Sequence, residues 1–247
     1  MTTPLFTIIT CTYNAESTLE RTIRSVDSQT YPGIEHLILD GKSTDRTLEI
    51  AARSERARII SEPDKGLYDA MNKGISLATG DYLIFLNAGD CFHSEETLSQ
   101  VAAMMEGKNP DVIYGETALV DGDGKFLRMR RLQVPENLNW RSFKNGMLVC
   151  HQAFWAKTEI ARRTQYDLKY RFSADVDWCI RIMKGSNALF NTHTTLIDYL
   201  SEGMSTKNRK ASLKERFRIM QNHYGLPSTV ARHFWFVIRA FTKKGAI

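Results

Sequence analysis

An α/β fold with a mostly parallel central sheet is predicted by three observations on this chain of 247 residues. From Phe6 to Asn87 short β-rich runs alternate with helix-length segments, the pattern of βαβ units with right-handed crossovers. Each run ends in polar or acidic residues, as expected where strands present a ligand edge at their carboxyl ends. An apolar content of 43% is enough to bury a full core, so the length fits one large domain or one domain with an appendage.

Phe6 to Thr12 (FTIITCT) reads as the first strand. Ser17-x-x-Glu20 predicts a capping box for a helix with Leu19, Ile23 and Val26 on one face. Glu35 to Asp40 is the second strand, ended by Gly41, and Thr44 to Arg53 the second helix. Arg58 to Ser61 is a brief third strand, and Leu67 to Ala78 a helix that stops at Gly80. Tyr82 to Asn87 (YLIFLN) is the most apolar strand, broken by Asn87-Ala-Gly-Asp90. From about residue 112 the pattern changes. Val112 to Tyr114 and two β-like runs around the turn Asp121-Gly-Asp-Gly124 predict an antiparallel insertion, followed by a loop to His151. Ala174 to Lys184 reads as a helix, Thr195 to Leu200 as a strand, and 210 to 222 and 228 to 243 as two further helices. No internal repeat or low-complexity segment interrupts the series.

The four cysteines (Cys11, Cys91, Cys150, Cys179) are scattered and show neither C-x-x-C nor zinc spacing, which points to a reducing cytosol. No basic flank precedes the first apolar run, and no apolar stretch approaches the roughly 18 residues of a membrane span, so neither secretion nor integral membrane insertion is expected. Net charge is +5, and it is segregated. Residues 207 to 247 carry ten Lys/Arg against one acid, Glu215, whereas the preceding 206 residues carry 23 bases against 27 acids. A basic tail of this kind suits a membrane surface, nucleic acid or an anionic substrate.

Neither G-x-G-x-x-G nor G-x-x-x-x-G-K-[ST] occurs, which removes the main support for a dehydrogenase or a P-loop NTPase. What remains is a carboxylate-bearing edge, suited to a ligand presented through a divalent cation. Asp90, at the tip of a buried strand, is the best metal candidate; the alternative is that it caps a helix starting near Ser94 or turns the chain. Asn87 reads equally as a turn residue. Asp40 suits a base or ribose hydroxyl donor, or an Asx-turn. Ser43-Thr44-Asp45 reads first as a helix start and second as a ligand contact. Asp175 and Asp177 flank Val176 ahead of the apolar face Trp178, Ile182 and Met183; Asp175 is the general-base candidate, against a purely stabilising acid at a helix N-terminus. His151 and His193 read first as core or loop histidines.

Four segments in order resemble the inverting glycosyltransferases of the GT-A type, within the glycosyltransferase family 2-like group and nearest the bacterial exopolysaccharide and capsule enzymes of the colanic-acid type. They are Thr7 to Asn14 (TIITCTYN), Leu39 to Thr47 (LDGKSTDRT), Ser61 to Gly74 (SEPDKGLYDAMNKG) and Gly80 to Asp90 (GDYLIFLNAGD). The resemblance covers most of residues 5 to 205. It implies a Rossmann-like α/β/α sandwich over residues 1–206, with a nucleotide-sugar-binding half (1–110) and an acceptor half (111–206); the charge and apolar spacing of residues 207–247 mark a basic amphipathic helical extension beyond it. It also implies a UDP- or GDP-linked sugar donor and a glycan or lipid-linked oligosaccharide acceptor. Thr12, Tyr13 and Asn14 would then line the nucleotide pocket with Asp40 and Ser43, and Asp64 with Lys65-Gly66 would close over nucleotide and sugar. Asn87 to Asp90 stands where the family carries its D-x-D metal motif, with Asp90 as the retained carboxylate for Mg2+ or Mn2+ and Asn87 as a departure from the strict form. Ala174-Asp175 matches the catalytic acid pair, making Asp175 the base and Asp177 its reserve. His151-Gln152 matches a pair between the donor and acceptor halves, placing these two residues, with Asp177 and Trp178, toward the acceptor or transferred sugar. His193 is left open as a third metal ligand. A single in-line displacement would invert the anomeric carbon.

Two readings of the tail stand side by side. Phe234, Trp235, Val237, Ile238 and Phe241 between Arg232 and Lys243-Lys244 suit a helix lying on an anionic bilayer, or one whose apolar face docks on the core. Nucleic acid is not expected, because no recognised binding motif accompanies the charge. The expected setting is cytoplasmic, peripheral on the inner face of the membrane. A catalytically silent nucleotide-sugar or glycan-binding module on the same fold is the alternative, motivated by Asn87. A nucleotidyltransferase would carry a glycine-rich triphosphate loop near the N-terminus, which Thr10 to Asn14 is not.

Overall fold

The structure, a computed structural model, describes residues 3–201 and 209–242. Strands β1 (Phe6–Thr12), β2 (Ile34–Asp40), β3 (Ala57–Ser61) and β4 (Tyr82–Phe85) pair in parallel in the spatial order β3-β2-β1-β4. Helices α1 (Leu19–Asp27), α2 (Thr47–Ala51) and α3 (Leu67–Leu77) connect them. Phe6, Ile8, Leu37 and Leu83 to Phe85 are fully buried, so the central strands are covered on both faces and read as almost unbroken apolar runs. Thr12 pairs with Asp40 and Asp40 with Ser61, which brings the carboxyl ends of three strands level.

The remaining elements among the described residues are β5 (Cys91–Phe92), α4 (Thr97–Met104), β6 (Val112–Val120), β7 (Phe126–Met129), β8 (Phe154–Lys157), α5 (Thr158–Arg163), α6 (Ala174–Lys184) and β9 (Leu189–Leu200). The sheet continues β4-β8-β6-β9-β5, with β7 on β6. β8 lies antiparallel between β4 and β6, so the strands before residue 110 and those after it share one sheet.

Several local expectations change. Ser17 and Glu20 form no capping box: the N-cap is Thr18 without a side-chain bond, and Glu20 pairs with Arg24 at 2.6 Å. The chain entering α1 is tied across the fold instead. The Ala15 and Glu16 amides donate to Thr47 Oγ1 (2.7 Å) and Asp45 Oδ2 (3.1 Å). That lacing holds Thr44 to Arg46 outside the helix, so α2 has five residues rather than the expected span of 44–53. β9 begins at Leu189 rather than Thr195, because its register shifts near His193, whose φ is +54°, instead of ending there. The helix considered near Ser94 forms as α4 from Thr97, β5, β8 and α5 are not anticipated by the sequence pattern, and two 3-10 turns, Trp140–Asn145 and His151–Ala153, occupy part of the anticipated loop.

The C-terminal extension forms α7 (Arg209–Tyr224) and α8 (Leu226–Thr242), hinged at Gly225, whose φ of +80° favours glycine. Ile219 and Met220 of α7 are buried. The Glu215 carboxylate accepts the backbone N–H groups of Arg171 (2.9 Å), Phe172 (2.8 Å) and Ser173 (3.0 Å), just ahead of α6. The side chains of Val237, Ile238 and Phe241, and the whole of Lys243 and Lys244, lie outside what is described.

Gly80 shows why one residue between α3 and β4 must be small. A Cβ there would lie 2.6 Å from the Leu5 carbonyl and 2.9 Å from the Thr7 nitrogen, both main chain and unable to swing aside. Gly80→Ala is expected to lower the unfolding free energy by about 1–3 kcal/mol, the usual range for overpacking. A urea midpoint unchanged from wild type would contradict this close approach.

Candidate active site

Three loops meet at the carboxyl edge. Asn14, at φ +48°, accepts the Thr44 N–H through Oδ1 (2.9 Å), while its own N–H donates to Ser43 Oγ (2.9 Å). Asp40 is buried and takes the hydroxyls of Thr12 (3.2 Å), Ser43 and Ser61 (2.7 Å), with the Ser43 N–H at 3.1 Å. The Asx-type turn is therefore formed, and Asp40 first organises its own loop. Asp64 accepts the Gly66 N–H at 2.8 Å, and Gly66 holds φ +113° at the start of α3. The absence of a side chain at Gly41 lets the Asp64 carboxylate approach, since a Cβ there would meet Asp64 Oδ2 at 2.5 Å, while the Tyr13 ring lies at ordinary contact distance. Tyr13 is 68% exposed, and Lys65 is exposed too. Asp40, Asp64 and Lys73 also line a crevice too narrow to admit a water molecule. A larger open groove along β3 and α3, lined by Arg58, Glu62, Asp69 and Lys73 among others, contains none of the candidate residues.

The turn after β4 is knotted by buried hydrogen bonds. Gln152 donates to Asp90 Oδ2 (2.6 Å) and accepts the Asn87 N–H (2.7 Å), and the Leu200 N–H donates to Asp90 Oδ1 (2.7 Å). Thr22 Oγ1 donates to the Asp90 carbonyl (2.8 Å) and accepts the Gly89 N–H (2.9 Å). Burial pushes the Asp90 carboxyl up to about 6, against the opposing pull of the Leu200 and Gln152 donors. It caps no helix: the Ser94 N–H is taken by Thr97 Oγ1.

His151 spans from this turn to the start of α6. Its Nε2 lies 3.5 Å from Asn87 Nδ2, and its Nδ1 lies 3.8 Å from Asp175 Oδ2. Burial alone would lower its pKa; Cys150, Asp175 and Asp90 more than offset that, and the net shift is upward. Tyr68, in the first turn of α3, donates to Asp175 Oδ1 at 3.4 Å. Asn87, His151, Asp175 and Tyr68 thus form one cluster fed by β4, a 3-10 turn, α6 and α3.

Asn87 and Asp90 supply oxygen donors of the kind a divalent cation takes. Asn87 Oδ1 is buried with no hydrogen-bond partner, and an amide oxygen three residues from a carboxylate is a hard-donor pair suited to Mg2+ or Mn2+. Each Asp90 oxygen accepts one N–H and keeps a lone pair. The pair fits as a partial site that needs ligand oxygens to complete it; no group of three or more His, Cys, Asp or Glu is placed to hold a metal among the described residues. His193 is no third ligand for Asp90: it sits seven residues before Leu200 on β9, roughly 20 Å away at the rise of a strand, and its Nδ1 lies 3.5 Å from Glu136.

Three candidates for the acceptor or sugar serve the scaffold instead. Gln152 is 0% exposed, with its amide engaged by Asp90 and Asn87. Trp178 is also 0% exposed, stacked on Tyr166 at 5.0 Å and edge-on to Phe85 and Phe154. Asp177 is buried between Arg181 (2.6 Å) and His223 (2.8 Å); burial raises its carboxyl, but these two partners overcome that and hold it below the usual range. Thr22 lies in no motif, and Tyr68, within the segment Ser61 to Gly74, and Glu215, the single acid of the tail, carry no assigned role in the sequence; each acts on a residue distant along the chain.

The profile described as "Glycosyl transferase family 2" matches residues 7–163. The chain is 36% identical over 191 residues to a PGL/p-HBAD biosynthesis glycosyltransferase of Mycobacterium tuberculosis, covering 73% of this chain and 70% of the relative. It is 30% identical over 194 residues to the amylovoran biosynthesis glycosyltransferase AmsB of Erwinia amylovora, covering 72% and 64%. Among solved structures, S. aureus TarS 1-349 superposes with a TM-score of 0.72 at 16% identity, over 94% of this chain and 72% of that one. The mannosyltransferase PcManGT from Pyrobaculum calidifontis, in complex with GDP-Man and Mn2+, gives 0.62 at 17% identity, over 100% and 80%. At these identities the structural likeness is one of fold.

Two stability tests follow from the geometry. The Asp90 pKa is raised in the fold, so its contribution is present below the unfolded value and lost as pH rises through about 6. In metal-free buffer, wild type should gain stability relative to Asp90→Asn on going from pH 7 to pH 4, by up to about 3 kcal/mol. A pH-independent difference would refute the buried ionisation. Glu215→Ala, which leaves three N–H groups ahead of α6 without their acceptor, should cost roughly 1.5–3 kcal/mol in denaturant titration. Wild-type stability would show that the carboxylate does not hold α6.

Proposed function

The chain belongs to glycosyl transferase family 2, and from that premise we propose that it transfers a sugar with inversion from a UDP- or GDP-linked donor to a hydroxyl of a glycan or lipid-linked oligosaccharide. It is a glycosyltransferase with the GT-A fold, and the relatives named for glycan and amylovoran synthesis support a role in polysaccharide assembly. The observation that carries the proposal is the width of a single imidazole between the Asn87 turn and the Asp175 carboxylate. A leaving diphosphate at the first and an acceptor hydroxyl at the second would lie on opposite sides of one anomeric carbon, as in-line displacement requires.

In that reaction the acceptor oxygen bonds to the anomeric carbon as the bond to the diphosphate oxygen breaks. Asp175 takes the hydroxyl proton, and the nucleoside diphosphate leaves with the bonding pair. An α-linked donor then yields a β-linked product. Tyr68 orients the carboxylate from one side and His151 from the other. Tyr13 offers an exposed ring to the base beside Asp64, while Thr12, Asn14, Asp40 and Ser43 keep the loop around it in shape. Lys65 and Gly66 stand at the α3 N-terminus with their N–H groups held by Asp69 and Asp64, and the exposed Lys65 ammonium is the group that would meet phosphate. Asp90 and Asn87 Oδ1 are the oxygens that would hold Mg2+ or Mn2+, whose chemistry is to neutralise charge on the departing diphosphate. TarS bound to UDP-GlcNAc and PcManGT bound to GDP-Man and Mn2+ support a nucleotide-sugar donor on this fold. Reaction on the cytoplasmic side, against the membrane, accords with a lipid-linked acceptor.

A thermal-shift panel of nucleotide sugars with Mg2+ or Mn2+ identifies the donor, after which Asp175→Asn is the decisive variant. Its kcat should fall by roughly 10²–10⁴-fold while donor affinity, measured by calorimetry, stays within a few fold. Full turnover would remove Asp175 as the base, and donor binding without transfer by the wild type would favour the silent binding module. Asp90→Ala should abolish any stimulation of transfer by Mn2+; stimulation that survives would place the cation elsewhere.

A further inference from the structure

We propose that the exposed face of α8 is a docking surface for an anionic lipid bilayer. Its two faces differ sharply. On one, Thr229 is 0% exposed, His233 packs edge-on against Phe217 at 4.9 Å, and Arg232 donates to Asn145 Oδ1 at 2.9 Å, so the helix is seated on α7 and on the Trp140–Asn145 turn. The other face carries Leu226, Pro227, Val230, Ala231, Phe234 and Trp235, all exposed and none polar. Their spacing of four and one residues forms a continuous stripe along nearly three helical turns. Phe234 is 68% exposed and Trp235 52%, large apolar areas that water tolerates poorly.

The charge around this stripe selects its occupant. Lys210, Lys214 and Arg218 are exposed on α7, and the segment 207–247 as a whole carries ten bases against one acid. That one acid, Glu215, is turned to the backbone ahead of α6, and a single carboxylate leaves the segment strongly positive. A second copy of the chain would set one such basic segment against another, which charge repulsion opposes. An anionic bilayer supplies acyl chains for the stripe and phosphates for the flanking bases in a single layer. Among the described residues no helix is long and apolar enough to cross a membrane, so α8 lies on the surface. α7 joins that surface to the catalytic helix through His223 and Asp177, which brings the start of α6 toward the lipid side. Docking itself does not rest on the sugar-transfer assignment and would stand if that failed.

Flotation of the full chain with vesicles tests the proposal. Phosphatidylcholine vesicles containing about 30 mol% phosphatidylglycerol should bind on the order of tenfold or more protein than phosphatidylcholine alone. The double variant Phe234→Glu, Trp235→Glu should fall to the neutral-vesicle level while keeping the wild-type melting temperature and its turnover on a soluble acceptor. Lys214→Glu with Arg218→Glu should weaken binding to anionic vesicles alone. Equal binding to both vesicle types, or undiminished binding by the Phe234/Trp235 variant, would overturn the assignment. So would a wild-type dimer in vesicle-free sedimentation that this variant converts to monomer, since a second copy would then cover the face.

Discussion

The buried carboxylate of Asp90 is the constraint on which the arrangement of the edge depends. An ionisable group at 4% exposure is tolerated only with hydrogen-bond donors around it, and its donors come from Gln152 and from the end of β9. Those two attachments join the exit of the parallel half to the antiparallel half. Because Gln152 is held, its neighbour His151 is held as well, and the imidazole is aimed between Asn87 and Asp175. One satisfied buried charge therefore positions both sides of the candidate reaction centre.

A second clamp acts from the far end of the chain. The Glu215 carboxylate collects three N–H groups where no helical partner exists for them, the role a capping side chain would play locally. His223 grips Asp177 one turn into the same helix. The extension is thus tied to the candidate site, and its two helices divide the work: α7 faces α6, and α8 presents an apolar stripe outward. Of α8 among the described residues, one face is seated on α7 and the Trp140–Asn145 turn and the other is exposed.

Agreement between sequence and structure follows the range of the interactions involved. β1 and α6 have the bounds their patterns predict, because burial period and terminal residues are encoded within each segment. The capping box at Ser17 fails where Ala15 and Glu16 instead bond to Thr47 and Asp45, thirty residues on. β8 was missed since a strand of four residues between two others has no period of its own. The site divides the same way. Asp40, Asn87, Asp90 and Asp175 were legible as polar residues at strand or helix ends, whereas Tyr68 became a partner of Asp175 only through packing.

The sequence by itself determined the α/β class, the parallel first half, the residues carried to its edge and the segregation of charge into the tail, since each is written in local order and composition. Tertiary structure alone decided which of those residues remain available. It buried Trp178 and Gln152, engaged Asp177 with His223 and distanced His193 from Asp90. The physical reason is that a side chain's availability depends on what covers it and what it bonds to, and those partners lie tens of residues away along the chain.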